Sequence, residues 1–151
     1  MKKIVFIVAL LMSGVGANAQ SKGNAIGIRG VDAGHGGEIS FQTGLGKSNR
    51  LELDLGFNSY SNSYSGLQLS GIYQWVWGLE QITDGLNWYV GVGGTAGSYS
   101  SGLGLAVVGQ LGIEYNFNIP LQISLDWRPS FLNPNYSDGY YGNGLSVRYR
   151  F

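Results

Sequence analysis

Residues Gly142–Phe151 read GNGLSVRYRF, and this stretch decides the fold. Leu145, Val147, Tyr149 and Phe151 alternate with Gly144, Ser146, Arg148 and Arg150. A period of two puts the apolar side chains on one face of a strand and the polar ones on the other. A soluble edge strand with such an apolar face invites aggregation. In a closed barrel within a bilayer the edge disappears and lipid covers the apolar face.

The other end of the chain carries an export signal. Lys2 and Lys3 precede an apolar run from Ile4 to Val15. That run is too short to span a bilayer as a helix, which takes about 20 residues. Ala17-Asn18-Ala19 forms an A-x-A cleavage site before Gln20. Together these features predict a signal peptide over 1–19 and an exported domain over 20–151. Cysteine is absent, which excludes a disulfide framework and a thiolate site. The formal net charge is zero, and loss of Lys2 and Lys3 makes the mature chain slightly acidic, which argues against nucleic acid as a partner. Charged residues are 12% of the chain, against about 25% in soluble domains.

The alternation of the last strand recurs seven times upstream. The spacing predicts strands over 25–33, 38–45, 51–58, 67–77, 86–93, 103–117 and 121–128, each with one apolar face. Val31 falls out of phase with Ile26 and Ile28, which predicts a bulge near Gly30. Turns are predicted at 46–49, 79–85 and 118–120. Loops rich in Ser, Asn, Tyr and Gly are predicted at 59–66, 97–102 and 130–141. Pro120, Pro129 and Pro134 are placed at strand ends or in a loop, where a missing N–H does no damage. Eight strands of about ten residues suit tilted membrane strands, and an even number suits bacterial barrels. Short turns at one end and longer loops at the other put both chain ends in the periplasm. In that orientation Trp75, Trp77, Trp88, Tyr115, Phe117, Tyr149 and Phe151 fall near the periplasmic interface. Phe41, Trp127, Phe131 and several tyrosines fall near the outer one, which makes two aromatic belts.

The final strand resembles the C-terminal strand of bacterial outer-membrane β-barrel proteins. The mature chain as a whole resembles the small eight-stranded barrels of the OmpA/OmpX type. The resemblance is one of architecture and rests on no diagnostic motif. It implies an all-β, eight-stranded antiparallel up-and-down transmembrane β-barrel in the bacterial outer membrane. It also implies that Tyr149 and Phe151 belong to an assembly signal read by the barrel-assembly machinery, and that outer-membrane lipid surrounds the chain.

The inward face then sets what the barrel can do, since eight strands leave room for little besides side chains. The phase of each strand sends Arg29, Arg128, Arg148 and Arg150 inward with Glu38, Glu52, Asp54, Glu114 and Asp126. Buried charges must pair, so these nine residues are expected to plug the lumen with ion pairs. Inward glycines at 44, 56, 91, 93, 104 and 112 are expected to leave room for the long arginines. No catalytic constellation, metal site or cofactor motif stands out. His35 is a lone loop histidine, and Gly46-Lys47-Ser48 lacks the upstream glycine and the helix of a phosphate-binding loop. Tyr60, Tyr64, Tyr99, Tyr136, Tyr140 and Tyr141 lie among Ser, Asn and Gly, a composition that suits contacts with a surface ligand not identified by the sequence. The chain therefore reads as a structural or interaction protein rather than an enzyme. A narrow porin-like channel is one alternative. A secreted lipocalin-like barrel holding a small apolar ligand is another, and it would turn the apolar face inward.

Overall fold

The computed structural model describes residues 23–31, 36–60, 64–99, 102–131 and 141–151. Eight strands follow one another: β1 (Ala25–Val31), β2 (Gly36–Gly44), β3 (Asn49–Tyr60), β4 (Tyr64–Gly78), β5 (Leu86–Tyr99), β6 (Gly102–Asn116), β7 (Leu121–Phe131) and β8 (Tyr141–Arg150). Each pairs antiparallel with its sequence neighbours. β1 also pairs with β8, from Ala25↔Arg150 to Val31↔Gly144, which closes the barrel.

The register keeps one parity all the way round, because a slip of one residue would turn a whole apolar face inward. The pairing can be followed from Leu121 through Tyr149, Ile26, Phe41, Leu53, Gly71, Gly94 and Val107. It returns to β7 at Phe131, ten residues farther along. This stagger tilts the strands and sets which inward side chains share a level.

Leucine, isoleucine and valine cover the outer wall, with Ile28 68% exposed, Leu105 64% and Leu125 57%. The inner wall is polar and buried: Arg29, Glu38, Glu52, Asp54, Gln110, Asp126, Arg128 and Arg148 are all within it. This is the reverse of a lipocalin-like barrel. Inward aliphatic side chains such as Val31, Ile72 and Val108 are small inclusions in that polar interior.

An aromatic girdle runs round the outer wall at the end that carries the termini. Its ring pairs are Tyr73–Trp75 at 4.9 Å, stacked Trp77–Trp88 at 4.6 Å, Tyr115–Phe117 at 4.7 Å and Tyr149–Phe151 at 6.3 Å. Phe41 departs from the expected sorting. It lies past the middle of β2 toward Gly44, opposite Ile26 and Leu53.

Four local expectations change. No bulge forms near Gly30; the β1–β2 ladder is continuous through Val31↔Gly36, and Val31 simply takes the inward phase at 1% exposure. Pro129 lies inside β7, not at its end. The β6–β7 ladder lapses beside it and resumes at Leu111↔Trp127 in the same register, since proline has no N–H to give. The hairpins at the end away from the termini are longer than predicted. β3 reaches Tyr60, β4 begins at Tyr64, β5 reaches Tyr99 and β6 begins at Gly102. Tyrosine suits a pleated ladder, and the backbone pairing continues after the apolar period has stopped.

The expected contrast between short turns and long loops holds only in part: nine residues separate β7 from β8 at the end away from the termini, the longest interval between strands. Leu79–Gly85, at the end with the termini, is longer than the connections 61–63 and 100–101 at the other. That turn is closed by Leu79 N–H donating to the Leu86 carbonyl at 2.8 Å, and it contains Gly85 at φ +86°, the left-handed region glycine favours.

Candidate functional site: the charged lumen

The inward strand positions project side chains from all sides into one narrow space, so partners come from strands far apart in sequence. Arg29 of β1 shows how the stagger works. Its register partner on β8 is Ser146, but its guanidinium passes over Gly144 and reaches Asp126 of β7 at 2.5 Å. Any side chain at Gly144 would occupy the place of that guanidinium. Arg29 also holds Glu38 of the neighbouring β2 at 2.9 Å.

Arg128 of β7 crosses the lumen to the opposite wall. Its Nη2 reaches Glu52 at 2.8 Å and Asp54 at 2.6 Å, both on β3, and its Nη1 reaches Glu38 at 3.3 Å. Arg148 of β8 reaches Glu52 at 3.0 Å and donates to Ser40 at 3.0 Å and Ser124 at 2.7 Å. Glu52 is the hub, because it accepts from Arg128, Arg148, Gln42 and Gln110 and is fully buried. Two arginines and two amides on one carboxylate supply the compensation a buried charge needs.

A second, smaller cluster lies nearer the end with the termini. Arg50 of β3 reaches Glu114 of β6 at 2.6 Å, lies over the Tyr89 ring at 4.9 Å and donates through Nε to Gln74. Glu114 also accepts from Asn87 at 3.2 Å and Asn116 at 3.3 Å. Among the described residues two amides link the clusters by hydrogen bonds: Gln74 donates to Gln110, which donates to Glu52.

Eight of the nine residues expected in the lumen form ion pairs there. Arg150 is the exception. It sits half-buried at the rim, where Nη1 donates to the Phe117 carbonyl at 3.5 Å, and no carboxylate among the described residues is paired with it. Its place is taken by Arg50, which sequence reasoning left out by ending a turn at Asn49 and starting the strand at Leu51. Arg50 keeps the inward parity of Glu52 and Asp54, and that parity was the available signal. The glycine that makes room for an arginine is Gly144, not Gly56, Gly91, Gly93 or Gly112 of the expected set. Gly56 accommodates Glu38, Gly112 accommodates the Tyr89 ring and Gly144 accommodates Arg29.

Of the candidate surface tyrosines, Tyr60 ends β3 facing Tyr64, which begins β4; Tyr99 ends β5 and Tyr141 begins β8. All four backbone positions are at the barrel end away from the termini. Tyr136, Tyr140, His35 and the predicted signal segment 1–19 lie outside the described residues.

The lumen holds its charges in paired, buried positions. The fold is that of small eight-stranded barrels in three solved structures. The N-terminal β-barrel domain of Pseudomonas aeruginosa OprF matches over 87% of this chain and 98% of its own, with a TM-score of 0.65 and 18% identity. Neisserial surface protein A matches over 86% and 95%, with a TM-score of 0.61 and 10% identity. A de novo designed transmembrane β-barrel matches over 89% and 98%, with a TM-score of 0.58 and 12% identity. No family profile and no curated protein sequence matches the chain.

Proposed function

We propose that this chain is an integral protein of a bacterial outer membrane, exported through a cleaved signal peptide over 1–19 and folded by the barrel-assembly machinery. One observation carries the reading: the barrel is inverted, with its charges inside and its leucines, isoleucines and valines outside. Water does not stabilise such an outer wall, whereas a hydrocarbon layer about 25 Å tall bounded by an aromatic girdle does. Both termini face the periplasm in this reading. The aromatic girdle of Trp75, Trp77, Trp88 and Tyr149 then lies at the periplasmic interface, and Phe151 with Tyr149 completes the assembly signal.

The role is structural and interactive rather than catalytic. The ion pairs of Arg29, Arg128 and Arg148 support a closed lumen, so the protein is not a porin-like channel. Hairpin ends bearing Tyr60, Tyr64, Tyr99 and Tyr141 present the surface through which an external partner is contacted.

Single cysteines test the inversion without background, since the chain has none. Leu111 is 49% exposed on the outer wall and its neighbour Gln110 is 3% exposed on the inner one. In outer-membrane vesicles Leu111→Cys should react with a bilayer-dissolved maleimide and resist a water-borne one. Free aqueous labelling of Leu111→Cys would overturn the membrane assignment. Steady open-channel currents from the wild-type protein in planar bilayers would overturn the closed lumen alone.

A further inference from the structure

We infer that the barrel mouth at the end of the termini is a binding site for a small oxyanion, a carboxylate or a phosphate, gripped by Arg150. A cavity of about 920 Å³ opens there, between the start of β1, the turn after β2 and the adjoining ends of β6, β7 and β8. Its inner end is closed by Gln42, Gln122 and the Arg50–Glu114 pair. Three cations line it, Lys47, Arg50 and Arg150, against one carboxylate, Glu114. Arg50 and Glu114 neutralise each other at 2.6 Å. Among the described residues no carboxylate is paired with Lys47 or Arg150, and Glu80 and Asp84 of the turn at this end do not line the cavity, so its wall carries two unpaired cations in a partly enclosed space.

Arg150 is placed to use that charge. It is half-buried, and among the described residues its guanidinium makes one hydrogen bond, from Nη1 to the Phe117 carbonyl at a long 3.5 Å. A guanidinium carries five N–H donors in a planar fork. Four are therefore left for a ligand, and the fork matches the two oxygens of a carboxylate or phosphate. The mid-lumen arginines are not available in this way, because each is already held by carboxylates. The amide of Asn24 adds a further donor on the same rim. The site rests on the reading above only for the compartment it faces, which would be the periplasm.

The test uses the folded chain in detergent micelles and the Nε–Hε resonances of arginine. Three probes are titrated: N-acetyl-alanyl-alanine with a free carboxylate, the same peptide as its C-terminal amide, and inorganic phosphate. The free acid should shift Arg150 saturably and the amide should not. Arg150→Gln, followed through the Asn24 and Gln122 side-chain amides, should weaken binding about tenfold or more, as expected for loss of a charge-assisted pair. Lys47→Gln should weaken it by a smaller factor. Phosphate that competes with the peptide identifies the oxyanion itself as the ligand; phosphate without effect identifies a peptide carboxylate. Equal shifts from acid and amide, or no shift at Arg150 from any of the three probes, overturn the inference. That comparison needs only the wild-type chain, so it holds even where Arg150→Gln fails to fold. Micelles are blind to compartment: failed binding leaves the membrane assignment standing, and failed membrane labelling leaves the binding result standing.

Discussion

At mid-height of the lumen, Arg29 and Arg128 each bridge two or more carboxylates, and Arg148 joins a carboxylate to two hydroxyls, whereas at the mouth Arg50 and Glu114 hold chiefly each other. The difference follows depth. Far from solvent, removing one ion leaves its partner uncompensated, so stability requires several partners per charge. Beside a water-accessible cavity, one pair with two amide donors is enough, because the mouth can hydrate whatever is left over.

The largest expected effect breaks the deep cluster at its hub. Glu52→Gln keeps the shape but leaves Arg128 and Arg148 short of a carboxylate. It should cost about 3–5 kcal/mol, the usual loss when one member of a buried pair is removed. Urea unfolding in lipid vesicles measures this, and a loss below a third of that range would mean the hub is not what balances the lumen. Arg50→Gln should cost less, about 1–3 kcal/mol, because Glu114 keeps Asn87, Asn116 and the cavity. Equal losses for the two variants would erase the distinction between deep and shallow charge.

Gly85→Ala perturbs the shallow region from its backbone. It forces a side chain into φ +86° and crowds the carbonyl of Asn116, whose side-chain amide supports Glu114. The expected loss is about 1 kcal/mol or somewhat more, readable as a lower unfolding midpoint with an unchanged slope. The smallest effect is the most discriminating. Among the described residues Asp54 and Arg50 share no hydrogen-bond or ion-pair partner, and the amides of Gln74 and Gln110 link their clusters. Asp54→Asn and Arg50→Gln should therefore be additive within about 0.5 kcal/mol. A larger coupling in the double variant would make the lumen one electrostatic unit.

The inside and outside of each strand were legible because a two-residue period needs no knowledge of neighbours. Glu52 and Asp54 point inward wherever β3 sits, and Leu111 points outward wherever β6 sits. Arg50 was missed because it abuts a Gly-Lys-Ser-Asn turn, and the apolar pattern that marks a strand begins one residue later. Arg150 has the inward parity of Arg148 but sits past the last carboxylate, so parity alone assigned it to a network it does not join. The hairpin ends at Tyr60, Tyr64 and Tyr99 were read as loops because their polar residues carry no period, although the backbone ladder runs through them.

The sequence by itself determined the number of strands, the two faces of each and the inversion of polar and apolar walls, since all three are properties of local alternation. Only the tertiary structure decided which charges meet. Closure with a stagger of ten residues per turn brings Arg29 over Gly144 to Asp126 and sends Arg128 across to Glu52 and Asp54. That stagger is a property of the closed ring, set by the pairing of all eight strands at once, and no single strand encodes it.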